Sequence, residues 1–189
     1  MSKRIVTEIW IYPIKSLGGV RLQSSPVLPK GLAYDRRWML VDNGNVFMTQ
    51  RDYPQMALLK LSLDLGNFTI RYNDEKMDLT FEHCNDRIAA TVWNDIVEVF
   101  EVSRSLSQWI SQILGVNCRL VSFPENNPRP VEAEFSINHD HVSLADAYPL
   151  LIIGENSLED LNRRMKEPLP MNRFRPNIVF SGGEPYEED

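Results

Sequence analysis

Apolar residues alternate with polar ones at a period of two through the first two-thirds of this 189-residue chain, in short runs cut by turn residues. Leu59-Lys60-Leu61-Ser62-Leu63-Asp64-Leu65 is the plainest run, and Gly66-Asn67 turns it into Phe68-Thr69-Ile70-Arg71-Tyr72. Such a pattern suits half-buried strands with one face on a core, and it excludes a helical bundle. The β-branched and aromatic stretch Ile5–Tyr12 predicts another strand, which Pro13 stops. Trp38–Asp42 and Val46–Thr49 flank Asn43-Gly44-Asn45 and predict a hairpin, since Asn and Gly tolerate positive φ. Further strands are predicted at Ile88–Val92, Ile96–Val102 and Cys118–Ser122.

The period changes at Ser103–Leu114. Leu106, Trp109, Ile110, Ile113 and Leu114 fall on one face of a helix, with a serine before it and Gly115 after it as caps. Pro124, Pro128 and Pro130, set among Glu125, Asn126 and Asn127, mark a boundary. We therefore expect one domain over residues 1–121 and a second over 124–189. In the second, an apolar strand at Pro149–Ile153 runs into a helix whose Asn156 and Glu159 fit a capping box, and Asn177–Phe180 reads as the last strand. The fold class is α+β, mainly β.

Composition narrows the function. A net charge of −6 disfavours nucleic acid and anionic membrane as partners, and no apolar run is long enough to span a bilayer. The charge is graded: residues 1–60 carry nine Lys/Arg against four Asp/Glu, while residues 121–189 carry six against thirteen. An acidic chain with its cations gathered near particular motifs suits a small anion better than a polyanion. The start of the chain has no secretory pattern and Cys84 and Cys118 are its only cysteines, so a reduced cytoplasmic setting is expected. No metal site is expected, since His83, His139 and His141 lack a third ligand at a suitable spacing.

Four segments could carry chemistry. Tyr12-Pro13-Ile14-Lys15-Ser16-Leu17-Gly18-Gly19 could bring backbone N–H groups, the Lys15 ammonium and the Ser16 hydroxyl onto one anion, although a plain turn is the ordinary reading. It lacks the pattern of a nucleotide-hydrolysing P-loop. In Asp35-Arg36-Arg37-Trp38, alternation puts Arg36 beside Trp38, where the guanidinium needs Asp35, another acid or a ligand phosphate. Asn156-Ser157 opens a helix, whose free N–H groups favour an anion, and ordinary capping also accounts for it. Arg173-Phe174-Arg175-Pro176-Asn177 is the most distinctive. Pro176 favours an extended Arg175, which would send Arg175 and Asn177 to one side, a guanidinium for phosphate beside an amide for a heterocycle edge.

Taken together, these segments resemble the MOSC family, in which a β-barrel-like N-terminal domain precedes a MOSC β-barrel domain. Tyr12-Pro13-Ile14-Lys15-Ser16, Gly31–Asp42 and Thr49-Gln50-Arg51 resemble motifs of the first domain; Asn156–Asn162 and Arg173–Val179 resemble a helix start and core motif of the second. The resemblance implies a molybdenum cofactor (molybdopterin) held between the domains by Lys15, Ser16, Arg36, Asn156, Ser157, Arg175 and Asn177. It also carries an association with pyridoxal phosphate.

For the amidoxime-reducing and hydroxylaminopurine-reducing members the implied reaction is two-electron reduction of a small N-hydroxylated substrate. The electrons come from a donor protein or an appended iron–sulfur domain. Family members ligate the metal with a cysteine thiolate downstream of the Arg-Pro-Asn motif, a position that neither Cys84 nor Cys118 occupies. The chain stops twelve residues after Asn177, so the expectation is an incomplete second domain, with the thiolate beyond Asp189 and no catalytic residue in this part. Two other readings remain open: a non-catalytic carrier of the cofactor or its pterin, and a β-barrel binder of single-stranded nucleic acid using Arg36, Trp38 and Arg175.

Overall fold

A computed structural model describes residues 3–79, 86–132, 134 and 136–189. Cys84 and His83 lie outside the described residues. The chain forms β1 (Ile5–Ile11), β2 (Val20–Leu22), β3 (Val27–Leu28), β4 (Gly31–Leu32), β5 (Trp38–Val41), β6 (Lys60–Asp64), β7 (Asn67–Tyr72) and β8 (Glu75–Leu79). It continues through β9 (Arg87–Val92), β10 (Asp95–Glu101), α1 (Arg104–Leu114), β11 (Arg119–Ser122), β12 (Ile152–Gly154), α2 (Glu155–Arg163) and β13 (Ile178–Ser181). Strands dominate and two α-helices pack among them, an α+β, mainly β architecture.

Alternation delivers what it promised in β6 and β7, which pair antiparallel from Lys60 opposite Arg71 to Asp64 opposite Asn67. Phe68 and Ile70 turn inward and are fully buried. The third strand of this sheet, β8, was not expected. Its charged residues hide an edge strand that contributes Leu79 to the core opposite Phe68. The predicted hairpin closes as a turn, but only single bridges, Val41 to Phe47 and Val46 to Thr91, follow it, so its second arm is not a strand. Helix α1 starts at a Ser103 cap, whose Oγ accepts from the Leu106 N–H, and ends at left-handed Gly115. Leu106 and Ile110 enter the main core with Ile14, Leu17, Trp38 and Phe68. Among the described residues, no helix is long and apolar enough to cross a membrane.

The expected division at residues 121–124 is crossed by a sheet. β1, the first strand of the chain, lies between β2 and β13, the last strand, in the order β12-β13-β1-β2. It runs antiparallel to β13 from Ile5 opposite Ser181 to Ile9 opposite Ile178. The proline-rich segment is also tied down: Glu125 pairs with buried Arg37, and the Pro124 carbonyl accepts from Lys30. The end of β1 and the start of β13 bring the Tyr12–Ser16 loop against the Arg175–Asn177 turn.

Candidate functional site

Two apolar anchors present the Lys15 loop. Ile14 and Leu17 are fully buried, and the Lys15 N–H donates to the Trp38 carbonyl at 2.7 Å. Lys15 and Ser16 are left facing a cleft of about 210 Å³, with Ser16 in left-handed backbone at φ 66°. Arg36 and Arg175 line the same cleft and are left-handed too, at φ 50° and 60°. This corrects two expectations. Arg175 is not extended: its contacts with the Tyr12 ring and the Leu17 carbonyl override the extended preference that Pro176 confers. Arg36 is not part of a strand, because β5 begins only at Trp38, so alternation does not set its direction.

Long-range contacts hold these conformations. The Arg36 N–H donates to the Tyr12 carbonyl at 2.9 Å, and its guanidinium reaches Asp35 at 2.5 Å, Asn177 Oδ1 at 3.0 Å and the Arg175 carbonyl at 3.2 Å. The Tyr12 ring carries both guanidiniums, with Arg36 at 4.5 Å and Arg175 at 4.2 Å from its centroid. Burial pushes the Tyr12 hydroxyl up to about 12, so it stays protonated and donates to the Pro176 carbonyl at 3.2 Å. Burial, then the charge on Arg36, pulls Arg175 down to about 10. Among the described residues, the Arg175 side chain makes one hydrogen bond, to the Leu17 carbonyl, and no ion pair. Its remaining N–H donors are uncommitted.

Lys15 is 6% exposed, and its ammonium donates to the Leu144 carbonyl at 2.8 Å and Asp146 at 2.5 Å. Burial lowers its pKa, against the pull of Asp146. For Asp146 burial works upward, and Lys15 with the Trp93 N–H outweighs it, leaving the carboxyl below its ordinary value. Phe47 and Trp93 meet edge to face at 4.8 Å and wall this side of the cleft. Arg129, 4% exposed, holds the loop behind Asp146 by donating to the Ser143 and Ala145 carbonyls, each at 2.6 Å.

The seven residues expected at the site divide into three places. Lys15, Ser16, Arg36 and Arg175 line the cleft. Asn177 lies behind it, 1% exposed, with Oδ1 accepting from Arg36 and the Leu151 N–H and Nδ2 donating to the Trp10 carbonyl. Its amide is spent on holding the turn, not turned to a ligand edge. Asn156 and Ser157 are elsewhere, on the last residues of the chain. Asn156 donates to the Gly183 carbonyl at 2.7 Å, and Ser157 donates to Glu188 at 2.9 Å. The expected capping box does not form: Gly154 is the N-cap of α2, and the Glu188 carboxylate accepts from its N–H. Sequence reasoning missed Asp146, Trp93, Phe47 and Arg129, which matter only because the fold sets them around Lys15.

Lys15, Arg36, Arg51 and Arg175 line this cleft against the single carboxylate of Asp146, and Asp35 sits behind them. The donor set therefore fits a phosphate, whose oxygens would take up the spare guanidinium N–H groups. Affinity for a phosphate monoester should rise as the phosphate takes its second charge at about pH 6. It should fall at high pH as Lys15, below the 10.5 of an ordinary lysine, and Arg175, at about 10, lose their charge. Calorimetric titration at pH 7 and pH 10 checks this, and equal affinities would show that neither cation supplies the charge.

Residues 3–117 match the family described as MOSC N-terminal beta barrel domain, and residues 139–189 match the MOSC domain. The chain belongs to the MOSC family. This MOSC chain is 33% identical to the mitochondrial amidoxime-reducing component 1 of Mus musculus, over 97% of its own length and 57% of that protein. The Homo sapiens counterpart is 31% identical, with 97% and 58% covered. The molybdenum cofactor sulfurase of Arabidopsis thaliana is 28% identical, with 96% of this chain and 25% of that protein covered. The MOSC chain thus spans little more than half of the first two relatives and a quarter of the third.

Proposed function

We propose that the cleft at Lys15, Ser16, Arg36 and Arg175 holds the phosphate-bearing pterin of a molybdenum cofactor. The whole protein would then be a cytoplasmic reductase of small N-hydroxylated compounds. One observation carries this reading: three basic side chains from segments as far apart as Lys15 and Arg175 converge on one cleft, two of them in left-handed backbone. The names of the relatives, which refer to the molybdenum cofactor and to amidoxime reduction, support it. When bound, the cofactor supplies a two-electron redox centre. The chain's own part is to bind and orient. Arg175 and Lys15 take phosphate oxygens, the Tyr12 ring packs against both guanidiniums, and Asn177 with Asp35 fixes the direction of Arg36. Electrons are proposed to come from a donor protein or an appended iron–sulfur domain, and the two-domain division at residues 121–124 remains part of the proposal.

The described residues fit the phosphate end of the cofactor better than its metal. Cys118 is the one cysteine among them, buried behind α1 and joined to Ser111, and it does not line the cleft. That favours, as a second reading, a module that carries the pterin without chemistry. Both readings meet the same experiment. The full-length protein is expressed in cells that make the cofactor, its pterin is released and measured by fluorescence, and N-hydroxylamine reduction is assayed with an artificial electron donor. Arg175→Ala and Lys15→Ala should each retain about tenfold less pterin, the loss of a charged hydrogen bond. Retention unchanged in both variants overturns the site. Full pterin content without reductase activity establishes the carrier.

A further inference from the structure

A second cleft, of about 930 Å³, runs along the polar face of α1 where the helix meets the ends of β5 and β11, and it shares no residue with the first. Glu101, the last residue of β10, lines it. Its cross-strand neighbour is the fully buried Val121, and Glu101 itself is only 7% exposed. Among the described residues its carboxylate accepts no hydrogen bond and joins no ion pair. Among the described residues, the side-chain polar atom sealed from solvent without a partner is His141 Nδ1, so the Glu101 oxygens keep access to solvent. The carboxylate is free to accept a donor supplied from outside.

The opposite charge stands on the same wall. Arg119 lines the cleft and donates to Asn45 Oδ1, and among the described residues no carboxylate, that of Glu101 included, lies within 4.0 Å of its guanidinium. Among the described residues Glu101 and Arg119 thus form no ion pair with each other, while Arg104, which also lines the cleft, pairs with Asp86. Gln108 and Gln112, one helical turn apart on α1, add amides that make no side-chain hydrogen bond among the described residues. Phosphate is disfavoured here by Glu101. A divalent cation is disfavoured by Arg119 and by the lack, among the described residues, of any cluster of three acidic, His or Cys ligands. We propose that this cleft binds a small zwitterion of the α-amino-acid class, its ammonium on Glu101, its carboxylate on Arg119 and its side chain among the Gln108 and Gln112 amides.

The probe is L-glutamine, titrated into the nitrogen-labelled chain while amide resonances are followed. Its truncated analogues are γ-aminobutyramide, which lacks the carboxylate, and glutaramate, which lacks the ammonium. Saturable shifts centred on α1 and the turn into β11 are expected with glutamine, and both analogues should bind about tenfold or more weakly. Glu101→Gln and Arg119→Gln should each weaken glutamine by a similar factor. No saturable shift, glutaramate binding as well as glutamine, or undiminished binding to Glu101→Gln would each overturn the proposal. If either variant does not fold, the analogue series on the unaltered chain decides it.

Discussion

Replacing Asp35 by alanine is expected to lower the stability of this protein by about 3–5 kcal/mol, the cost of stranding a buried charge. Asp35 is completely buried. One carboxylate oxygen accepts from the Tyr12 N–H at 2.7 Å, and the other meets the Arg36 guanidinium at 2.5 Å. Alanine would orphan the Tyr12 N–H and leave the Arg36 guanidinium without its carboxylate. Arg36 would keep its bonds to Asn177 and the Arg175 carbonyl, neither of which carries a full negative charge. Tyr12 would lose the bond that fixes the end of β1 above the cleft. Urea denaturation followed by tryptophan fluorescence measures the loss. Asp35→Asn, which keeps an acceptor for Tyr12 but removes the charge, should fall between the two. A cost below about 1 kcal/mol for the alanine variant, the range of an exposed ion pair, would mean that Arg36 finds water instead.

The second large effect is expected at Gly31→Ala. Gly31 opens β4 at φ +100°, and an added Cβ would lie 2.3 Å from the Pro149 carbonyl oxygen. That oxygen belongs to backbone, so no side-chain rotation relieves the clash, and β4 and the segment that precedes β12 must move apart. Left-handed backbone costs an L-residue about 1–2 kcal/mol, and forcing extra volume into packed structure costs a further 1–3 kcal/mol or so. Gly66→Ala is the control: it has φ +85° and nothing within 4 Å of an added Cβ, so it should show the backbone cost alone. Equal shifts in denaturation midpoint for the two variants would show that the Pro149 contact is not what requires glycine at position 31.

The site was partly legible beforehand. Lys15 and Ser16 were legible from the Pro13 and Gly18-Gly19 that bound their loop, and Arg175 from the Pro176 that follows it. Arg36 was legible only through an alternation with Trp38 that the backbone does not follow. All four line one cleft. Asn177 was legible as a residue but not as a role, since its amide serves the Leu151 N–H, the Trp10 carbonyl and Arg36. Asn156 and Ser157 looked like an anion site because a helix start always has free N–H groups. The fold instead brings the Glu188 carboxylate there. Asp146 carried no local signal. Its meaning comes from Lys15, which precedes it by more than a hundred residues.

By itself the sequence determined the local pieces. Period two set β6, β7, β9 and β10, the change of period with Ser103 and Gly115 set α1, and proline and glycine set the turns. These follow from side-chain volume, β-branching and capping, which act over a few residues. Only the tertiary structure decided that β1 inserts between β2 and β13, and that this insertion carries Lys15 to Arg175. It also decided the left-handed backbone of Ser16, Arg36 and Arg175, which none of the three would choose alone. Those conformations persist because strand pairing, buried anchors and the Tyr12 ring act on them together from distant parts of the chain. The alternation that first constrained the fold therefore accounts for the strands, and long-range pairing accounts for the site.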